Sequence, residues 1–168
     1  NFKVLCGKTG SGKSRLLGAL TEAGAQVLDL EGLASHRGSV LGSLPGEPQP
    51  SQKRFESALW DALRNFDPTR QIFVESESRT VGRLRVPEGL LSHMRASPCV
   101  VLEMPAGARV ELLMQDYAHF ANEPEALCER LAALREARGG EVVERWQAMA
   151  RNGQIVEVVH ALLTEHYD

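Results

Sequence analysis

Gly7-Lys8-Thr9-Gly10-Ser11-Gly12-Lys13-Ser14 fits the pattern G-x-x-x-x-G-K-[ST] without a mismatch, and its setting fits as well. Phe2-Lys3-Val4-Leu5-Cys6 before it reads as a short buried strand, and Arg15–Leu20 after it as an amphipathic helix. Strand, glycine-rich turn and helix in that order make a loop whose backbone N–H groups point inward at phosphate oxygens. The helix that starts at the loop's end adds free N–H groups and a positive dipole end. Lys13 is placed to reach the terminal phosphate of a bound group, and the Ser14 hydroxyl to sit on Mg²⁺. Gly7 to Ser14 are therefore the candidate phosphate ligands. The motif specifies phosphate binding. It leaves open which phosphate compound binds and whether ATP is split.

Outward from the loop, strand and helix signals alternate. The first helix runs from about Lys13 to Ala23, and Gly24 ends it. Ala25–Leu30 reads as a second strand. The Gly-, Ser- and Pro-rich stretch from about Gly32 to Pro50 is too long for an ordinary connection, and such loops are usually functional or mobile. Phe55, Leu59, Leu63 and Phe66 recur at helical spacing across Ser51–Phe66, and Asp67-Pro68 ends that helix. Gln71–Glu75 is nearly all apolar until its C-terminal acid, as a doubly covered parallel strand should be. Glu88–Arg95 reads as a short helix and Pro98–Glu103 as a fourth strand. Pro105 opens a helix carrying Val110, Leu113 and Tyr117 on one face. Asn122 with Glu125 predicts a capping box for the next helix, which stops at Gly139-Gly140. Glu141–Asn152 and Gln154–His166 read as two more. The expected fold is α/β: a P-loop NTPase-like parallel sheet of about four or five strands flanked by helices, with a helical C-terminal part. The expected division is a core over 1–121 and a helical extension over 122–168, packed on or beside it.

The chain's 168 residues suffice for one domain that buries roughly 70% of its unfolded surface. A hydrophobic content of 43% with 24% charged residues is that of a globular chain, not a disordered one. The net charge of −3 excludes a global basic field that recruits nucleic acid, though not local basic clusters. The apolar runs are far too short to span a bilayer, and no signal peptide is visible. The first residue is Asn and a strand starts almost at once, so an excised domain of a longer protein is expected. Cys6, Cys99 and Cys128 show no paired spacing or metal motif. Cys6 and Cys99 fall in apolar runs and are expected as buried inert thiols, a usage that suits a reducing cytoplasm.

In an open α/β sheet, ligands bind at the C-terminal ends of the strands. Ile72-Phe73-Val74-Glu75 has the form of a Walker B segment, whose acid orients the water shell of Mg²⁺ beside the loop serine, with Glu in place of the usual Asp. The alternative for Glu75 is an acid that caps the next segment. Asp29 either orients an acceptor group or is a solvated loop acid. Glu31 and Glu77 stand beside these two strand ends. His36 could carry a proton and Arg37 could grip a phosphate, as could Arg79; the plainer reading of all three is polar surface. Lys53-Arg54 and Arg79, Arg83, Arg85 and Arg95 could form a stripe for RNA phosphates or be solvated faces.

A wider set of words resembles the P-loop domain of the bacterial tRNA 2-selenouridine synthase family. After Gly7–Ser14 come Asp29-Leu30-Glu31-Gly32-Leu33-Ala34 and His36-Arg37-Gly38-Ser39, then Gln49-Pro50-Ser51-Gln52 with Phe55-Glu56. Glu75-Ser76-Glu77-Ser78-Arg79 with Gly82, then Arg109 and Asp116-Tyr117, complete the series. The phosphate loop alone is generic; the Asp29–Ser39 and Glu75–Arg79 blocks are much more specific and carry the resemblance. It implies an enzyme acting on wobble 2-thiouridine in tRNA anticodons: a geranyl group passes from geranyl diphosphate to the sulfur, and selenium from selenophosphate then replaces the S-geranyl group. It implies further that the loop holds a donor diphosphate, with Mg²⁺ at Ser14 and Glu75. His36, Arg37, Glu75 and Arg79 become candidate catalytic residues, and Asp29, Glu31, Glu77 and Arg109 candidate substrate contacts. The implied partners are the tRNA anticodon stem-loop and an N-terminal rhodanese-like domain with a reactive cysteine, which nothing in this chain matches. Two other functions fit the bare loop: a small-molecule kinase using ATP, or GTP in its place, and a nucleotide-dependent switch.

Overall fold

The computed structural model describes residues 1–37, 48–76, 78–116, 120 and 122–167. Among these, the chain divides into two compact units, Asn1–Gly7 with Gly12–Leu102, and Lys8–Ser11 with Glu103–Asp168.

The first unit is built on a parallel sheet of β1 (Phe2–Cys6), β2 (Gln26–Leu28), β3 (Ile72–Glu75) and β6 (Cys99–Val101). The strands lie in the order β2-β3-β1-β6, so the acid-tipped β3 is the direct neighbour of the strand that feeds the phosphate loop. Leu5 pairs with Glu75 in that register, and the Ser76 amide donates to the Leu5 carbonyl at 2.8 Å. The apolar runs of β1 and β3 are largely buried because helices cover them. Phe2, Val4, Ile72 and Val74 join Leu28, Phe55, Leu59, Leu91 and Met94 in one core. Each large side chain so buried contributes about 1.5–3 kcal/mol.

α1 (Lys13–Glu22) follows the loop, and α2 (Leu30–Ala34) follows β2 at once. The expected strand over Ala25–Leu30 therefore stops short. The Asp29 carboxylate accepts from the Gly32 amide at 2.8 Å and starts a helix there, a local bond that outcompetes the sheet. α3 (Gln52–Asn65) has the predicted apolar stripe and takes Ser51 as its N-cap. A hairpin of β4 (Thr80–Val81) and β5 (Leu84–Arg85) stands between β3 and α4 (Glu88–Arg95), where no strand was expected. Its two-residue strands are too short to show a period-2 pattern.

β6 covers only part of the predicted Pro98–Glu103, because it pairs on one side alone, with Val4–Cys6. It is exposed rather than buried, with Val101 at 63%. The expectation of inert buried thiols fails here. Cys6 and Cys99 are joined in a disulfide, and Cys99 is exposed. Cys6 pairs in register with Val101 and Cys99 with Val4, so the two sulfurs project from one face of neighbouring strands. Their sequence separation of 93 gave no hint of this.

The second unit is helical: α5 (Ala106–Asp116), α6 (Pro124–Ala132), α7 (Arg135–Arg138), α8 (Gly140–Arg151), α9 (Ile155–Leu162) and a wider turn over Leu163–Tyr167. Its core gathers Leu127 and Leu131 of α6, Val143 and Trp146 of α8, and Val158 and Leu162 of α9. The predicted capping box does not form. Pro124 takes the first helical position, which makes Glu123 the N-cap, and no side chain caps it. The helix expected to run on to Gly139 breaks at Ala133-Leu134, where neither Gly nor Pro marks the sequence. Arg151 grips Glu125 through Nε and Nη2 at 2.9 and 3.1 Å, and Arg145 pairs with Glu165. Arg138 donates to His166 Nδ1 at 3.0 Å and to its carbonyl at 2.8 Å. Cys128 is the free thiol among the described residues, and burial pushes its pKa up. No helix of the described residues is long and apolar enough to cross a membrane.

Candidate phosphate site

The loop leaves β1 in the predicted way. Gly7, Gly10 and Gly12 have φ values of 152°, 78° and 85°, and the last two lie in the left-handed region that favours glycine. Gly12 is the N-cap of α1, so Lys13 and Ser14 open the first turn of that helix, the end that carries the positive pole of its dipole. The Lys13 ammonium donates to the Gly7 carbonyl at 2.9 Å and so ties the two ends of the loop together.

Ser14 is the meeting point of two acids. Its Oγ lies 3.1 Å from Glu31 Oε2 and 3.1 Å from Glu75 Oε2. β3 delivers Glu75, which is buried, and the first turn of α2 delivers Glu31. One hydroxyl has one proton, so it satisfies one carboxylate at a time. A hydroxyl and two carboxylates are hard oxygen donors, the set that Mg²⁺ takes with water completing the octahedron. The residues present thus fit the cation. Glu31 is the member that the strand-end reasoning did not assign to a metal. Its distance of 17 residues from Ser14 follows no motif, and only the early start of α2 brings it there.

The other predicted residues divide. Asp29 is the N-cap of α2 and is exposed. His36 follows that helix half-buried, its amide donating to the Glu31 carbonyl at 3.1 Å, and Arg37 beside it is exposed. Arg79 is exposed at the foot of the hairpin, where its carbonyl accepts from the Val86 amide at 3.0 Å. Glu77 lies outside the described residues, as do Gly38, Ser39 and Tyr117.

Two glutamines hold the hairpin through their side chains. Gln49 donates from Nε2 to the carbonyls of Ala34 and Val81 at 3.1 and 3.0 Å, and its Oε1 accepts from the Arg83 amide at 2.9 Å. Gln52 exchanges two bonds with the backbone of Arg85, at 2.8 and 2.9 Å, as a strand neighbour would. Gly82 has φ +58°, and a Cβ there would overlap the Gln49 carboxamide. These residues were quoted only as words of the resemblance; nothing in their spacing shows that a side chain can stand in for a strand.

In the second unit, α5 buries Arg109, whose Nε donates to the Thr9 carbonyl at 2.8 Å. Gly10 lies against the same helix, where a Cβ would come 3.0 Å from Leu113 Cγ. Arg109, expected as a substrate contact, thus reaches the backbone of the loop segment Lys8–Ser11.

The whole chain, residues 1–168, matches the family model of the tRNA 2-selenouridine synthase AAA domain. The tRNA 2-selenouridine synthase of Shewanella sediminis is 33% identical over 193 residues, which cover 98% of this chain and 51% of that protein. That of Alcanivorax borkumensis is 32% identical over 99% of this chain and 52% of its own length. That of Aeromonas salmonicida is 43% identical over 121 residues, 71% of this chain and 31% of its own. The chain spans about half the length of the first two of these relatives. The blocks that carried the resemblance are thus parts of a match along the full length, and the chain belongs to the tRNA 2-selenouridine synthase AAA-domain family.

Proposed function

We propose that this chain is the phosphate-donor domain of a tRNA-modifying transferase that converts wobble 2-thiouridine to 2-selenouridine by way of S-geranyl-2-thiouridine. The observation that carries the reading is the serine of a phosphate loop flanked by two carboxylates, in a chain that matches this family throughout. The loop would hold the diphosphate of geranyl diphosphate. The thiocarbonyl sulfur forms a bond to the geranyl C1 as the C1–O bond breaks, and the electron pair leaves with the diphosphate. The base loses its N3 proton, for which His36 is the candidate acceptor. Lys13 and the α1 N-terminus face the charge that develops on the leaving group, with Arg37 and Arg79 as candidate additions to that clamp. Ser14, Glu31 and Glu75 would hold Mg²⁺, which when bound supplies further positive charge. In the second stage the selenium of selenophosphate forms a bond to C2 as the C2–S bond breaks and geranyl thiolate leaves, and water takes the phosphoryl group from selenium as inorganic phosphate. An N-terminal rhodanese-like domain accounts for the half of the relatives' length that this chain does not cover, and a cytoplasmic setting follows from the tRNA substrate.

Calorimetric titration with geranyl diphosphate and, separately, with Mg-ATP tests the reading, each with Lys13→Ala as control. Tighter and Lys13-dependent binding of geranyl diphosphate supports it. Tighter binding of Mg-ATP moves the chain to a kinase or a nucleotide switch.

A further inference from the structure

α3 has two unlike faces. Phe55 and Leu59 are buried in the core, with Ala62, Leu63 and Phe66 packed against it. On the other side Lys53, Ser57, Trp60 and Arg64 follow each other at steps of four, three and four residues, which sets them in one row. All four are exposed. Trp60, at 68%, is the most exposed large hydrophobic side chain of the described residues. Its exposed neighbours on the helix are Glu56, Ser57, Asp61 and Arg64, all polar or charged, and the row it stands in runs from Lys53 to Arg64 past the two acids. A protein interface would surround a tryptophan with further apolar surface at its centre. An aromatic plane between cations is instead the platform on which an unpaired base stacks while basic groups take the flanking phosphates.

The row has a direction. Gln52 ties the Arg85 backbone to the N-terminal turn of α3, so the exposed Arg85 joins Lys53 at that end. The hairpin that carries Arg85 leaves the sheet just after Glu75, at the strand end beside Ser14. From Lys53 to Arg64 the helix rises about 16 Å. Asp61 sits 3.4 Å from Arg64 in an exposed pair of little strength, which a phosphate can displace.

We infer that this face of α3 binds unpaired RNA, with Trp60 stacking on one base and Lys53, Arg64 and Arg85 on its phosphates. The inference rests on the tRNA reading above and adds where the tRNA lies: from the phosphate site, along the hairpin, out over α3.

The test is fluorescence anisotropy with a labelled anticodon stem-loop carrying 2-thiouridine. Trp60→Ala should weaken binding about tenfold and Trp60→Phe should restore most of it. Lys53→Ala with Arg64→Ala should lower the salt slope by about one to two. Geranyl diphosphate binding, titrated in parallel, should be unchanged in every variant, which also reports folding. Stem-loop binding that ignores Trp60 and both cations overturns the surface and leaves the tRNA reading standing. No stem-loop binding by the unaltered chain overturns both. Loss in Trp60→Ala that Phe does not restore, with an unchanged salt slope in the cation variant, overturns base stacking and phosphate contact by this face.

Discussion

The Ser14 hydroxyl stands 3.1 Å from a Glu75 carboxylate oxygen, although 61 residues separate the two in sequence. The pairing is a consequence of strand order: β3 lies beside β1, and the Leu5–Glu75 register brings the acid level with the start of the loop. With Glu31 at the same distance, the serine is shared between two acids. Glu75→Gln and Glu31→Gln should each weaken Mg²⁺-dependent diphosphate binding by about tenfold or more. Titration with and without Mg²⁺ measures this. Equal loss in both conditions would remove the acids from a metal role.

Arg109 is buried, and its bond to the Thr9 carbonyl is charge-assisted. Arg109→Ala should cost about 2–3 kcal/mol in urea unfolding and weaken diphosphate binding as well. Arg109→Lys should recover only part of either, since an ammonium lacks the planar fork. A variant of full stability and affinity would show that the buried guanidinium does not position the loop.

Gly82 and Gly24 both have positive φ, but only Gly82 faces an obstacle. Gly24→Ala should cost about 1 kcal/mol from backbone strain alone. Gly82→Ala should cost more, about 2–3 kcal/mol, by displacing the Gln49 carboxamide. Adding Gln49→Ala should then cost less than it does alone, a coupling that a double-mutant cycle in urea reads directly.

Burial, and then the Arg138 guanidinium, hold the His166 imidazole below its ordinary pKa of 6.5. The unfolded chain therefore binds more protons than the folded chain between that lowered value and 6.5. His166 contributes its stability above 6.5 and loses it as pH falls through 6.5 toward the lowered value. The second unit should weaken as pH drops from about 7.5 to about 5.5, and His166→Asn should flatten that slope. Urea midpoints across the range decide it.

The Cys6–Cys99 bond predicts a labelling count. Alkylation in denaturant without reductant should modify only Cys128, and after reduction all of Cys6, Cys99 and Cys128. A closure spanning 93 residues should stabilise the fold by about 2–4 kcal/mol, lost on reduction. Three labels without reductant would show free thiols, the state that a reducing compartment favours.

The parts legible in the sequence were those fixed by local pattern. The phosphate loop, β1, β3 and α3 each carry their own signal within about fifteen residues. What escaped depends on contacts between distant segments. Glu31 reaches Ser14 only because Asp29 starts a helix where β-like residues suggest a strand. The disulfide needed the strand order. The hairpin is held by Gln49 and Gln52, and no propensity scale registers a carboxamide that pairs with backbone. The capping box at Asn122 failed because Pro124 claimed the first helical position.

Gln49 donates back to the Ala34 carbonyl, 15 positions earlier, and forward to the Val81 carbonyl, 32 positions later. A single carboxamide thus works as a clasp that fastens the end of α2 and the hairpin to one point of the chain. For engineering, it marks a residue to leave unchanged: replacing Gln49 should release α2 and the hairpin together, and with α2 the Glu31 that stands beside Ser14.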